Sequence, residues 1–188
     1  MDATAGDRRA GPAVTMEAML AARDRRVERR RQAFARRPDA PIVTVSVVMP
    51  GPVKDCVLSR EAASAAHDAL DRLLAERRWS ATTVAVEAGP TGAEAMIAVE
   101  ADARTLKAAL VALEETHPLG RLWDLDVAAS ADRAVSRRDL GLSPRRCLVC
   151  EAPAHACARS RAHPHATLLA VMEERIDAWL ARPADQAG

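Results

Sequence analysis

Apolar and polar positions recur along this chain with two different periods, and the switches between them mark out its elements. From Thr15, an expected N-cap, to about Arg36, the residues Met16, Met19, Leu20, Val27 and Phe34 recur at helical spacing on a surface rich in Arg and Glu. Pro38 and Pro41 end that helix. Ile42 to Met49 (IVTVSVVM) is a β-branched run too apolar for a sheet edge, which predicts a buried strand, and Pro50-Gly51-Pro52 forces a turn after it. Helical spacing returns from Ser59, the expected N-cap, through Ala62, Ala66, Leu70, Leu73 and Leu74, with Arg77 and Arg78 near the negative end.

Thr82 to Glu87 and Ala95 to Glu100 read as a hairpin turning through Gly89, Pro90 and Gly92. Asp102 can cap a third helix that turns Leu106, Ala109, Leu110 and Leu113 inward, and Pro118 stops it. The run His117 to Val127 (HPLGRLWDLDV) supplies another strand. A short one over Ala134 to Arg138 pairs back onto it across Ser130 to Arg133, and a last helix, about Ala166 to Leu180, buries Leu168, Leu169, Met172, Ile176 and Leu180. From Ile42 to Val127 the order is β-α-β-β-α-β, the split βαβ arrangement of ferredoxin-like α+β domains with two helices on one face of the sheet. An N-terminal helix precedes this core, and a cysteine-containing extension ending in a helix follows it. The expected organisation is a flexible N-terminus, 1–14, and a single domain, 15–188. That domain divides into a core of about 42–140, a Cys/His segment 144–165 and a terminal helix 166–181.

Composition narrows the class. With one Phe, three Trp and no Tyr, the core rests on aliphatic side chains and a base-stacking surface is not expected. A net charge of +1 argues against a general nucleic-acid binder. No run approaches the roughly 20 apolar residues of a membrane span, and the first fourteen residues carry no secretory pattern, so a cytoplasmic protein without membrane partners is expected. In that compartment four cysteines serve as thiols or metal ligands rather than a disulfide framework. Of the 27 basic side chains all but Lys54 and Lys107 are arginine.

Asp124 and Asp126 carry the sharpest chemistry. Side chains alternate along a strand, so both acids emerge on one face while Leu125 and Val127 pack behind them. Two neighbouring carboxylates repel unless a cation or shared proton separates them, and Mg²⁺ with oxygen ligands is the usual answer; two solvated aspartates on a wet face are the plainer one. Arg121, Arg137, Arg138, Arg145 and Arg146 flank the pair, and their planar forks suit the oxygens of a polyphosphate. Lys54 follows the rigid turn after the central strand, where a lysine can reach a phosphate or simply meet water. His117 can be a base, a phosphate donor or a helix cap. A second constellation, Cys147-x2-Cys150-x6-Cys157-x5-His163 with His165 beyond it, has ligands for a closed structural Zn²⁺ site, with free thiols or a redox pair as the competing reading.

Four separated motifs, MPGPVKD (Met49–Asp55), HPLGRLWDLDV (His117–Val127), SRRD (Ser136–Asp139) and PRRCLVC (Pro144–Cys150), together make the chain resemble the apo-citrate lyase phosphoribosyl-dephospho-CoA transferases, the holo-acyl-carrier protein synthases of citrate lyase. The resemblance implies transfer of the prosthetic group from 2′-(5″-triphosphoribosyl)-3′-dephospho-CoA to a serine of the citrate lyase acyl-carrier (gamma) subunit, with release of pyrophosphate. Residues 15–188 would then be a transferase domain of nucleotidyltransferase type. Such enzymes commonly add a third carboxylate, for which Asp55 and Asp139 are both candidates. Two alternatives stand beside this: a zinc-stabilised module that binds protein or nucleic acid without catalysis, and the equivalent transferase for the malonate decarboxylase carrier.

Overall fold

β-Branched side chains suit a strand flanked on both edges, and β1 (Ile42–Val47) lies at the centre of a five-stranded sheet. The computed structural model describes residues 7–183, so Met1–Gly6 of the expected flexible N-terminus and the last five residues of the expected domain lie outside the described residues. β1 pairs with β3 (Glu94–Val99) on one edge and β4 (Trp123–Ser130) on the other; β2 (Ala81–Glu87) joins β3, and β5 (Arg133–Val135) joins β4. The order is β2-β3-β1-β4-β5 and every pairing is antiparallel.

One face of the sheet presents Val43, Val45, Ile97, Val99, Trp123, Leu125 and Val127. They pack with Leu70 of α2 (Val57–Arg77), Leu106 and Leu110 of α3 (Ala103–Thr116), and Met172 and Ile176 of α5 (His165–Leu180). The opposite face carries α1 (Met16–Arg36), where Ala33 and Phe34 meet Ile42, Met96, Ala98 and Ala128. Thr15 caps α1 and Asp102 caps α3, each accepting a backbone N–H three residues on. No described helix is long and apolar enough to cross a membrane.

Several local expectations need correction. α2 begins before Ser59: buried Cys56 is its N-cap, and Ser59 sits three residues in, its Oγ accepting from the Cys56 N–H at 2.9 Å. Met16 and Leu20 are exposed rather than part of a buried stripe. The apolar patch beneath α1 reaches only its C-terminal half, because toward the other end that face turns polar with Thr44, Ser46 and Glu94. Leu180 is likewise exposed at the end of α5. β1 stops at Val47, and β5 stops at Val135, where Asp139 accepts from the Ser136 N–H and opens a 3₁₀ turn, Arg138–Leu140. The cysteine segment holds a short helix, α4 (Ala154–Ser160), that its sequence did not announce.

Two features fix the site's surroundings. A 3₁₀ turn, Gly120–Leu122, leads into β4 and lies so close to α3 that a Cβ on Gly120 would fall 2.5 Å from the Glu114 carbonyl oxygen, so that position requires glycine. Before α1, Arg8 pairs with Glu61 at 2.5 Å and with Asp177, and Arg9 pairs with Glu173.

Candidate active site

Trp123, Leu125 and Val127 are buried, and the intervening Asp124 and Asp126 share the face on which α1 lies. Their partners across β1 are Ser46 and Thr44, and Glu94 stands beyond Ser46 on β3. Buried Glu94 is held by Arg26 and, at 2.8 Å, by Arg29.

The edge of β4 beside the acids has no strand partner, because β5 begins its pairing only at Val127. An unpaired strand edge inside a protein must find its hydrogen bonds elsewhere. Two buried side chains of α3 supply them: Glu114 Oε1 accepts from the Leu125 N–H at 3.0 Å, and Lys107 Nζ donates to the Leu125 carbonyl at 2.7 Å. Arg145 continues this role, donating to the carbonyls of Arg121 at 2.9 Å, Gly120 at 3.2 Å and Trp123. The backbone that projects the two acids is thus clamped from outside the sheet.

The same cations set the electrostatics. Arg145 Nη1 is 3.7 Å from Asp124, and Lys107 Nζ is 3.9 Å from Asp126. The surrounding protein strips water from Asp126 and Asp124 repels its charge, so its carboxyl is raised above the ordinary aspartate value despite a 69% accessible side chain; Lys107 opposes the shift.

Asp124 lines two cavities. One, of about 450 Å³, is bordered by Lys54 and by Arg23, Arg26 and Arg29 of α1. The other, of about 410 Å³, contains both acids with Lys107, Arg137, Arg138 and Arg145. Lys54 donates to the Met49 carbonyl at 2.5 Å, and burial lowers its pKa. Arg137 is committed to Glu114 at 2.7 Å and Glu115 at 2.5 Å, so it braces the edge clamp, whereas Arg138 is exposed at the cavity rim. Arg121 and Arg146 line a third cavity with the cysteine segment, and Arg146 pairs with the exposed Glu151 outside it.

The two candidates for a third carboxylate stand apart from both cavities. Asp55 is held by Arg60 in a two-pronged pair at 2.7 and 2.8 Å, and Asp139 caps Ser136. Among the described residues no third His, Cys, Asp or Glu converges with Asp124 and Asp126. His117 belongs to the opposite face, its ring tilted against Trp123 and Trp179 with centroids 4.3 and 4.5 Å away, and its Nδ1 accepts from the Leu119 N–H. Burial, then Arg72 and Arg182, lowers its pKa to about 4. Lys107, Glu114, Arg26 and Arg29 are candidate site residues that sequence reasoning missed. A signal for the first two existed, since Lys107, Leu110, Val111 and Glu114 follow the i, i+3, i+4, i+7 spacing of a buried stripe.

The cysteine constellation does converge. The ligand atoms of Cys147, Cys150, Cys157 and His163 all lie within 4.8 Å of one another, with Cys150 Sγ 3.5 Å from Cys157 Sγ and 3.3 Å from His163 Nε2. Tetrahedral zinc with bonds of about 2.3 Å sets its ligands roughly 3.8 Å apart, so these four can hold a metal ion such as Zn²⁺. Burial alone would raise the Cys147 thiol, but the N–H groups of Val149 and Cys150 bring it down to about 7, while hydrogen bonding to Cys150 and burial push Cys157 up. His165 stands outside the cluster, against Gly51 at the head of α5.

A model of the apo-citrate lyase phosphoribosyl-dephospho-CoA transferase family matches residues 14–179. The chain belongs to that family. Proteins of that name from Escherichia coli O9:H4 (strain HS) and Escherichia coli O6:K15:H31 (strain 536 / UPEC) are each 42% identical to it over 165 residues. One from Shigella boydii serotype 18 is 41% identical, and each alignment covers 88% of this chain and 90% of the relative. Membership of this transferase family makes the chain an enzyme and removes the non-catalytic interaction module from consideration.

Proposed function

We propose that the chain transfers the phosphoribosyl-dephospho-CoA group from 2′-(5″-triphosphoribosyl)-3′-dephospho-CoA to a serine of the citrate lyase acyl-carrier (gamma) subunit. The serine Oγ forms a bond to the α-phosphorus of the triphosphate and gives up its proton to water, the bond from that phosphorus to the bridging oxygen breaks, and pyrophosphate leaves. The observation that carries this reading is the family match over 14–179, within which two adjacent carboxylates open onto two cation-lined cavities. Citrate lyase is favoured over malonate decarboxylase as the acceptor system because the relatives' name specifies it.

The acid pair fits Mg²⁺: its oxygens are hard ligands, and this ion is commonly held by one or two carboxylates with the remaining positions left to water and substrate phosphates. When bound, the metal would neutralise charge growing on the departing oxygen. Asp124 and Asp126 would hold it, Lys107 and Arg145 would fix their orientation, and Lys54 and Arg138 would receive phosphate oxygens. Zn²⁺ at the Cys147, Cys150, Cys157 and His163 cluster would be structural.

Strand order and antiparallel pairing support a ferredoxin-like reading of the core, extended by α1, β5 and the cysteine segment, within one domain over 15–188. Four free thiols and the absence of a spanning helix among the described residues are consistent with a cytoplasmic setting. The test is direct. Incubation with apo-carrier, the triphosphoribosyl donor and Mg²⁺ should raise the carrier's intact mass by the phosphoribosyl-dephospho-CoA group; an unmodified carrier would refute the assignment.

A further inference from the structure

The third cavity, of about 600 Å³, shares Arg145 with the cavity of the acid pair and Val48 with the cavity of Lys54. Its character differs from both. Val48, Leu148, Ala158 and Leu168 give it apolar walls, and no described carboxylate residue lines it. Its volume falls within the roughly 300–1,000 Å³ of ordinary small-molecule sites.

Two of its cations are left without partners. Arg121 is half-buried beside Arg145, which donates to its backbone carbonyl, and among the described residues its guanidinium has neither a hydrogen bond nor an ion pair. Burial and the neighbouring Arg145 and Arg137 lower its pKa by more than the Glu114 carboxylate, already held by Arg137, raises it. Arg161, which ends α4 in a left-handed conformation, is equally unpaired among the described residues. For the half-buried Arg121 guanidinium, crowded by other arginines, a phosphate oxygen relieves the cost of lost hydration, and the exposed Arg161 is free to close on the same anion. Apolar walls with cations and no acid therefore fit a flexible, largely uncharged chain that ends in phosphates.

We propose that this cavity seats the pantetheine arm of the donor's dephospho-CoA half, with Arg121 and Arg161 on its diphosphate, while the donor's triphosphate lies across Arg145 at the acid pair. This rests on the transfer reading above and adds to it the place where the bulk of the transferred group is held. The cysteine segment then acts as a wall of the donor site, since Cys157 and Ala158 lie on the cavity's surface.

Calorimetric titration of the metal-loaded full chain with dephospho-CoA, pantetheine and Mg²⁺-tripolyphosphate tests it. Ala158→Trp, which fills the cavity, should weaken dephospho-CoA at least tenfold and leave tripolyphosphate within twofold. Arg121→Leu should weaken dephospho-CoA about tenfold and leave pantetheine within twofold. If circular dichroism shows that Ala158→Trp has lost its fold, Arg121→Leu decides alone. Unchanged dephospho-CoA affinity in a folded variant overturns the proposal, as does selective loss of tripolyphosphate, which would make the cavity the triphosphate seat. Failure of the transfer reading is distinguishable: dephospho-CoA would bind in this variant-dependent way while the carrier gained no mass.

Discussion

The buried ammonium of Lys107 lies 3.9 Å from the Asp126 carboxylate and 2.7 Å from the Leu125 carbonyl, joining an orphan strand edge and a catalytic candidate through one side chain. Lys107→Met keeps the volume and removes both contacts. Leaving the Leu125 carbonyl unpaired should cost about 1–3 kcal/mol of stability, and loss of the support should cost roughly 10–100-fold in turnover. The diagnostic readout is the pH profile. Lys107 pulls the Asp126 carboxyl downward, so its removal should carry the acid limb of kcat/KM to higher pH; an unmoved limb would show the lysine to be purely structural.

Asp124→Asn and Asp126→Asn should each lower carrier modification by roughly 10²–10³-fold or more, the scale of losing a charge-stabilising group, with little change in melting temperature. Wild-type modification rates in the mass assay would dismiss the acid pair. Asp126→Asn should also alter the response of stability to pH. The folded state holds the Asp126 proton more tightly than the unfolded one, so this contribution is present below the unfolded carboxyl value and lost as pH rises through the raised folded one. Urea titrations from pH 4 to 7 should show the variant losing less stability on the way up.

His117 behaves in the opposite sense. Its pKa is lowered to about 4, so the neutral ring stabilises the fold above the unfolded value near 6.5, and that stability is lost as pH falls from there through 4. Allowing for partial exposure, roughly 2 kcal/mol should disappear across this window. In His117→Leu the dependence between pH 6.5 and 4 should flatten, as read by denaturant midpoints. Carrier modification at pH 7.5 should stay within threefold, because the ring lies on the face opposite the acids.

Cys150→Ser removes the thiol that touches both Cys157 and His163. Metal content measured by mass spectrometry should fall from one equivalent of zinc toward zero. A loss of about 3 kcal/mol would lower the melting temperature by roughly 6–12 °C for a chain of this size. Unchanged metal content and melting temperature would leave the cluster as free thiols.

How much of this was legible in the sequence depends on the range of the interactions involved. The acid pair was, because period-two alternation alone puts Asp124 and Asp126 on one face. The convergence of the cysteines was also legible from their spacing. The stripe on α3 signals that Lys107 and Glu114 are buried but not what they do, since their role exists only because β5 is too short to cover Leu125, a tertiary fact outside any local pattern. Arg137 and Asp55 illustrate the converse: each has the right chemistry for the site, but nearby partners, Glu114 and Arg60, already hold them. In a chain so dominated by arginine, both lysines line cavities that contain Asp124; Lys54 was legible from its place after the rigid turn, and Lys107 was the overlooked one.

Arg145 grips three carbonyls at the entrance to β4 and stands just two residues before Cys147. That brief tether works as a ruler between the acid-bearing strand and the thiol cluster. Inserting a single residue after Arg145 would leave the carboxylates and the thiol cluster each intact in composition while uncoupling their spacing, so the enzyme is exposed at a point where no reacting group is found.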